Sequence, residues 1–296
     1  MWLLFAFSGP VLWAISTHID KYLVDKYFRH SSVAVLLVFT SFIGVVMLPV
    51  IWWYQPHVLD LSGVSIAVIM ASGILSIGSM FFYLQALQTE EASAVAPWFQ
   101  TAPLFGYLLA YLFLGETLSA RQIAGCLTII AGAVLVSFDF RFVKIKTRLI
   151  LLMLVCTFAL ALSSVIFKFF AVQDQFWTTF WAYTGEAIFG AGLIAVPAYS
   201  RQFRALLRTN TGAVLSVNAS NELINLGGSL GVRYALLLAP LAIVQAIGST
   251  TTLLVFLFGI VLTLLFPALG REDMSPRNLL QKGASAVLIG VILINQ

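Results

Sequence analysis

The feature that most constrains this chain is a succession of ten long apolar segments separated by short polar breaks. Each segment is close to the ~20 residues that an α-helix needs to cross the hydrocarbon core of a bilayer. Such segments cross lipid as helices, because a helix satisfies its own backbone hydrogen bonds. The fold class we predict is an all-α integral membrane protein. Its ten spans are residues 2–22, 33–53, 64–87, 92–114, 119–138, 149–170, 176–198, 212–235, 240–268 and 277–295.

Composition agrees with this class and argues against several functions. Hydrophobic residues make up 60% of the chain and charged residues only 9%, whereas soluble domains contain about 25% charged residues. The basic residues are too scattered to form a phosphate-binding surface, so nucleic acid is not an expected partner. The sequence contains no phosphate-loop, zinc-site or nucleophilic-serine motif. We therefore expect no ATP-driven step, no cofactor, no metal and no enzymatic activity.

Two charged stretches interrupt the apolar sequence, LGETLSARQIAG and LGREDMSPRNLLQKG, and both contain Glu, Ser, Arg and Gly in the same order. They fall into register when the chain is shifted by about half its length, and the first span then aligns with the sixth. The aligned pairs are Glu116 with Glu272, Ser119 with Ser275, Arg121 with Arg277 and Lys21 with Lys168. This self-similarity predicts a five-helix unit that occurs twice.

An odd number of spans per unit forces the second copy into the opposite orientation, as in the inverted repeats of many secondary transporters. The predicted organisation is a five-helix repeat at 1–140, a basic connecting loop at 141–148 and an inverted five-helix repeat at 149–296. Ser275 followed by Pro276 is typical of a helix start. We interpret Glu116 and Glu272 as turn residues beside helix N-termini, rather than as substrate ligands.

The distribution of basic residues predicts the orientation in the membrane. The side of the membrane that carries the loops after the odd-numbered spans holds 13 of the 16 Lys and Arg residues, and the remaining three are Arg121, Lys168 and Arg233. The positive-inside rule then places both chain ends outside the cytoplasm, in the inner or plasma membrane.

Polar residues recur on one face of the eighth and third spans. The candidates for substrate binding on these faces are Asn218, Asn221, Asn225, Ser72 and Ser76. The repeat alignment places Ser72 on Asn221 and Ser76 on Asn225. Small and amide residues also join helices by packing and hydrogen bonding, and that alternative stays open. Because polar groups are costly in hydrocarbon unless protein or water surrounds them, we favour a cavity wall.

The first span offers Trp13, Thr17 and Lys21 at intervals of four, and the sixth offers Ser164 and Lys168 at equivalent positions. Each lysine lies near a predicted helix end, so it can also extend to the headgroups. Two lysines at equivalent positions of an inverted repeat would approach one central site from opposite sides. On that ground we include these five residues among the substrate-binding candidates.

The fourth and ninth spans complete the predicted cavity with Gln100, Gln245 and Ser249. Pro97 and Pro103 are expected to bend the fourth span and to release backbone carbonyl groups toward the cavity.

Three carboxylates lie within predicted spans. Glu222 is the first candidate for proton coupling, because a carboxylate in a low-dielectric cavity can load and release protons. Asp20 is the second candidate, although the adjacent Lys21 favours its ionised form. Glu186 fits either a functional role or a structural hydrogen bond to a neighbouring helix.

Several stretches resemble the EamA-type proteins of the drug/metabolite transporter superfamily. They are the Tyr83, Ala86 and Leu87 turn, the following Ala-Ser-Ala, the LGETLS segment and the glycines of the fifth span; LWAISTHIDKYL is similar to the family's first helix. The resemblance implies ten helices, an inverted repeat and a cavity lined by helices one, three, four, six, eight and nine. It also implies cytoplasmic chain ends, whereas the charges here favour the reverse, and we follow the charges.

The first functional hypothesis is a secondary transporter that exports a small organic metabolite by alternating access. The paired lysines favour a carboxylate, phosphate or zwitterion, while Glu222 and Asp20 leave a cation open. The expected partners are a small-molecule substrate and membrane lipids, with the protein a monomer or homodimer.

Three other functions remain open at this stage. A flippase for a lipid-linked headgroup needs a cavity open to the bilayer. An intramembrane lipid-modifying enzyme needs His18 to face a carboxylate. A non-transporting subunit predicts that the polar faces of spans three and eight are sealed without a cavity.

Overall fold

The computed structural model describes residues 2–28, 32–114, 124, 128, 138–139, 144–171, 175–238, 247–248, 250–267 and 272–294. Almost all of the predicted fifth span, 119–138, lies outside these residues, as do Glu116, Arg121, Gln245 and Ser249. The described chain is almost entirely helical, in agreement with the predicted α-helical membrane class.

The first half contains long helices and two broken ones. Its α-helices are α1 (Trp2–Tyr27), α2 (Ala34–Ile43), α3 (Met47–Tyr54), α4 (Gly63–Leu87), α5 (Ala92–Val95) and α6 (Ala102–Leu114). Short 3-10 helices occupy Gly44–Val46, Pro56–Leu59 and Ala96–Thr101. The last of these contains Pro97, so the predicted irregularity of the fourth span is confirmed. Its physical cause is that proline cannot donate a backbone hydrogen bond.

The second half follows a short antiparallel pair of strands in which Phe138 pairs with Ile145 and Asp139 with Lys144. The two strands are β1 (Phe138–Asp139) and β2 (Lys144–Ile145). The helices that follow are α7 (Thr147–Ala171), α8 (Gln175–Ala195), α9 (Pro197–Leu238), α10 (Thr251–Leu265) and α11 (Pro276–Ile294). Helix α11 begins at Pro276, as the sequence predicts.

Helix α9 differs from the prediction, because it is one helix of 42 residues rather than a loop followed by a span. At 1.5 Å per residue it is roughly 63 Å long, about twice the hydrocarbon thickness. No glycine or proline interrupts residues 198–211, so nothing in that polar segment breaks the helix. Arg201, Arg204 and Arg208 are therefore exposed on a helix rather than on a flexible loop.

Among the described residues, four helices are long and apolar enough to cross a membrane: Leu3–Tyr27, Ala34–Tyr54, Gly63–Leu87 and Thr147–Phe167. Large apolar side chains such as Leu4 and Trp53 are exposed on the outer surface, as expected of a surface that faces lipid. The count of ten spans stays a prediction.

Helix packing brings the two halves together. Helix α1 packs mainly against α9 and also against α10, while α7 packs against α4 and α6. The most deeply buried large side chains gather where α1 and α4 end and where α2 and α7 begin. They include Leu23, Phe28, Leu36, Leu87 and Met153. This end of the bundle is therefore a packed core.

Helices α4 and α8 approach closely at two glycines. A methyl group on Gly73 would collide with the backbone carbonyl of Ala182, and one on Gly185 would collide with that of Met70. Gly192, on the same helix as Gly185, has open space around its Cα.

Gly185 and Gly192, on the same helix, make a matched pair for a stability test. We expect Gly185→Ala to lower the free energy of unfolding by about 1–3 kcal/mol, because the helices must separate. Gly192→Ala should leave it unchanged or raise it by up to about 1 kcal/mol, since alanine favours the helix. Thermal unfolding of the two variants in one detergent measures the difference. Equal melting temperatures would contradict the close helix approach.

Candidate functional site

The candidate site is centred on Asp20, two helical turns from the end of α1. Its carboxylate accepts a hydrogen bond from the Tyr83 hydroxyl of α4 at 2.9 Å. It accepts a second from Nδ2 of Asn221 in α9 at 2.6 Å. Since α4 belongs to the first predicted repeat and α9 to the second, Asp20 joins the two halves of the chain.

A second carboxylate, Glu222, lies beside this centre and is 8% exposed. The side chains of Thr40 and Asn225 hydrogen-bond it, and its charge interacts with that of Asp20. We call Asp20, Tyr83, Asn221 and Glu222 the Asp20 site. Asn221, Glu222 and Asn225 belong to the polar face that the sequence predicts on the eighth span. The structure brings Asn221 and Glu222 close to Asp20 and Asn225 against Glu222.

Asn221 uses only part of its hydrogen-bonding capacity. The residue is 1% exposed, and among the described residues its Oδ1 atom has no hydrogen-bond partner. A buried acceptor without a partner costs about 1–3 kcal/mol. This oxygen is therefore an energetically unsatisfied acceptor next to two carboxylates.

The other candidates on α1 have mainly structural contacts. Thr17 donates its hydroxyl to the Trp13 carbonyl at 2.8 Å and also hydrogen-bonds Tyr83. The Trp13 ring packs against Gly228 of α9. His18 is buried, and its Nε2 lies 2.8 Å from the Val255 carbonyl of α10 rather than against a carboxylate.

Lys21 is held away from Asp20. Its ammonium donates to the Leu87 carbonyl at 2.7 Å and pairs with Asp25, one turn further along α1, at 3.0 Å. The Lys168 side chain lies outside what the structure describes. The pair of lysines on which we based an anionic substrate is thus not assembled among the described side chains.

A cavity of about 250 Å³ lies between α4, α7 and α8. It is lined by the predicted Ser72, Ser76 and Ser164 and also by Glu186. Ser163 donates its hydroxyl to the Ser72 carbonyl at 2.7 Å and fixes α7 against α4. The polar faces of spans three and six therefore enclose space, whereas the subunit hypothesis concerns spans three and eight and is not tested by this cavity.

The two remaining candidates, Gln100 and Asn218, lie in different places. Gln100 Nε2 is 3.4 Å from the Thr252 hydroxyl of α10, a long hydrogen bond. Asn218 is buried on α9.

A buried ionic cluster lies outside the predicted site, between the turn after α4 and the start of α11. The Lys282 ammonium contacts the carboxylates of Glu91 and Glu272, the latter at 2.7 Å, and Ser93 donates to Glu272 at 2.5 Å. Lys282 is only 5% exposed. We call these four residues the Lys282 cluster.

The two carboxylates of this cluster differ in acidity. Burial raises the pKa of Glu91, and the hydrogen bond and charge of Glu272 raise it further. Burial acts in the same direction on Glu272, but the hydrogen bond from Glu91, the positive charge of Lys282 and the hydrogen bonds from Lys282 and Ser93 outweigh it and lower the pKa of Glu272. The negative charge therefore rests preferentially on Glu272, which is paired with the lysine.

Sequence reasoning missed this cluster. Tyr83 and Thr252 share the spacing of the polar residues on spans three and nine, but they were not among the substrate-binding candidates. Glu91 and Ser93 were assigned to a polar turn, and Lys282 was counted as an orientation signal. A usable signal was present, because Lys282 lies inside the predicted tenth span and an intramembrane lysine requires a partner. The interpretation of Glu272 as a turn residue omitted its ion pair.

The chain resembles known proteins in sequence over residues 1–138 and in fold over nearly its whole length. Residues 1–138 match the EamA-like transporter family. No curated protein matches the chain. Sixteen chains of solved structures match it. One, described only as a crystal structure of a protein, covers 98% of this chain and 94% of its own length, with a TM-score of 0.55 and 17% identity. At that identity the likeness shows the fold alone.

The helices and the apolar surface define the class, a multi-pass α-helical membrane protein. Within that class, the match of residues 1–138 to the EamA-like transporter family confirms, for this part of the chain, the resemblance predicted from the sequence.

Proposed function

We propose that this protein is a secondary active transporter that exports a small organic metabolite by alternating access. The observation that carries the proposal is the Asp20 site, in which one carboxylate accepts hydrogen bonds from helices of both halves. A site shared in this way changes when the halves move relative to each other, so that substrate binding and conformation are coupled.

The packing of the helices supports a pair of inverted repeats. In the predicted repeat, α1 corresponds to α7, α4 to α9, and the fourth span to the ninth. The contact of α1 with α9 is then equivalent to that of α7 with α4. The contact of α1 with α10 is likewise equivalent to that of α7 with α6. Two copies related by an in-plane axis require this pattern.

Ion pairs close the end of the bundle that carries the loops after spans three and nine. The Lys282 cluster joins the turn after α4 to the turn before α11. Nearby, Lys146 from the connecting segment pairs with Glu90 at 2.5 Å. By the distribution of basic residues this is the cytoplasmic end, so we assign a cytoplasmic gate to the Lys282 cluster. Export would then require these ion pairs to break on the inward-facing side of the cycle.

Proton coupling is assigned to Asp20 and Glu222. Two neighbouring carboxylates in a low-dielectric interior do not both carry a charge without a counter-ion. They therefore take up a proton when no cation is bound, which links proton movement to substrate movement.

The test is reconstitution of the purified protein into liposomes. Thermal-shift screening against classes of metabolites first finds a ligand, because a ligand of the native state raises the melting temperature. Uptake of that ligand into liposomes, driven by an imposed pH gradient, is then measured against liposomes without protein. Ligand binding without any gradient-dependent flux would contradict the transporter proposal.

A flippase for a lipid-linked headgroup is a second candidate, favoured by an apolar cavity. This cavity of about 450 Å³ lies between α1, α9 and α10 and is lined by Ile15, Ile19, Val217 and Phe258. Its lining would suit an acyl or isoprenoid chain. Movement of a fluorescent lipid between leaflets of the same liposomes distinguishes this function from export of a soluble metabolite.

The enzyme hypothesis loses its proposed base, because His18 contacts a backbone carbonyl rather than a carboxylate.

We retain the proposal that the protein acts as a monomer or homodimer in the inner or plasma membrane, with both ends outside the cytoplasm. The accessibility of a terminal tag to a protease added to whole cells checks the orientation.

A further inference from the structure

The acceptors at the Asp20 site point to a particular ligand chemistry. The Asp20 carboxylate and the unsatisfied Oδ1 atom of Asn221 meet between α1 and α9. The carboxylate of Glu222, which Thr40 of α2 hydrogen-bonds, is near enough for its charge to act on Asp20. All of these atoms accept hydrogen bonds when the carboxylates are ionised. A ligand that satisfies them must bring several donors on one small group.

The charges favour a cation as that group. From the packed helices, the titratable side chains that face Asp20 are Tyr83 of α4 and Glu222 of α9. On α1 itself, Lys21 is directed to Leu87 and Asp25, and His18 to Val255. Among the described side chains, no lysine or arginine pairs with Asp20. An ionised pair of carboxylates at this position therefore lacks a described counter-ion.

We propose that the transported substrate bears a primary ammonium group, which binds between the Asp20 carboxylate and Asn221 Oδ1 in exchange for a proton. This inference rests on the proposed transport function and names the chemistry of its substrate. A primary ammonium has three N–H donors, which matches two carboxylates and one amide oxygen. The ring of Tyr83 lies 5.1 Å from that of Phe99, and these aromatic groups supply an apolar wall beside the cation.

A metal ion fits less well. Among the described residues there is no group of three or more His, Cys, Asp or Glu side chains placed to hold one.

The exchange balances in protons and charge. In the unloaded state one proton is shared by the Asp20 and Glu222 carboxylates. When the ammonium binds, one carboxyl O–H bond breaks and that proton leaves to water, so one positive charge replaces another. Transport in one direction is then accompanied by one proton moving in the other.

The experiment uses the full-length protein in detergent with three probes and their isosteres. The probes are ethanolamine, putrescine and 2-phenylethylamine, and each is compared with the corresponding alcohol and carboxylate. We expect at least one amine to raise the melting temperature and its isosteres to leave it unchanged. In weakly buffered solution, binding of that amine should release about one proton per protein, read with a pH indicator dye.

Variants separate binding from folding. Asn221→Leu, which removes the unsatisfied oxygen at similar size, should weaken amine binding roughly 10-fold to 100-fold, as expected for a lost hydrogen bond to a charged group. Asp20→Asn should abolish proton release. Asp60→Asn, in an exposed loop, should behave as the wild type. If Asn221→Leu does not fold, Asn221→Ala removes the same oxygen with a smaller side chain.

The possible outcomes distinguish a failure of the ammonium proposal from a failure of the transporter proposal. If carboxylate or phosphate ligands stabilise the protein and are transported while amines do neither, the ammonium proposal is overturned and the transporter stands. If amines bind with proton release but no flux occurs in liposomes, the ammonium site stands and the transporter proposal fails. Amine binding that is unchanged in Asn221→Leu would also overturn the assignment.

Discussion

Asp20→Asn is expected to reduce pH-gradient-driven transport by at least ~100-fold while the protein remains folded. Asparagine keeps the size of the side chain and can still accept a hydrogen bond from Tyr83, but it can neither carry a negative charge nor bind a proton. A hydrogen bond or ion pair to a charged group, when lost together with the proton site, accounts for an effect of this size.

The measurement is the initial rate of flux into liposomes, compared at equal amounts of reconstituted protein. Asp60→Asn is the matched control, because it makes the same chemical change on an exposed side chain that contacts only His57 in the described structure. Flux within twofold of the wild type in Asp20→Asn would remove Asp20 from the mechanism.

Lys282→Met is expected to cause the largest loss of stability, about 3–5 kcal/mol. Removal of the lysine leaves the buried carboxylate of Glu272 and the partly exposed carboxylate of Glu91 close together without their cation. Methionine retains much of the volume of the lysine stem, so most of the loss comes from electrostatics rather than from a cavity. Thermal or denaturant unfolding in detergent measures it.

Two further variants isolate the cause. Lys26→Met removes a lysine that is exposed on α1 and contacts Tyr22, and it should change stability by no more than about 0.5 kcal/mol. Combining Lys282→Met with Glu272→Gln should recover part of the loss, because the two groups interact directly. A double variant that is less stable than Lys282→Met alone would show that the cluster is not held by charge pairing.

Much of the local structure could be predicted from the sequence. The third span, expected at 64–87, is the helix Gly63–Leu87, and the irregular fourth span follows from its prolines. These features depend on hydropathy, helix length and backbone chemistry within a short stretch of chain. The one large miss, the continuous helix Pro197–Leu238, arises because polarity was interpreted as a loop, although a polar segment without glycine or proline can remain helical.

The candidate site was predictable only in its parts. Intervals of three and four among Asn218, Asn221, Glu222 and Asn225 predicted one polar face, and two of these residues, Asn221 and Glu222, lie at the Asp20 site. Lys21 was grouped with Trp13 and Thr17 by the same spacing, but its flexible stem carries the ammonium to Leu87 and Asp25. Helical periodicity gives the direction of the Cα–Cβ bond, whereas the position of a long side chain depends on which partners surround it.

The sequence by itself determined that this protein is a helical membrane protein and which of its helical faces are polar, because hydrophobic length and periodicity act locally. Only the tertiary structure decided which of those polar groups meet. Asp20 binds Tyr83 and Asn221 across 63 and 201 residues, and Lys282 binds Glu91 across 191 residues. Such pairs arise when helices pack, since a buried charge selects its partner from whatever groups the neighbouring helices bring within reach.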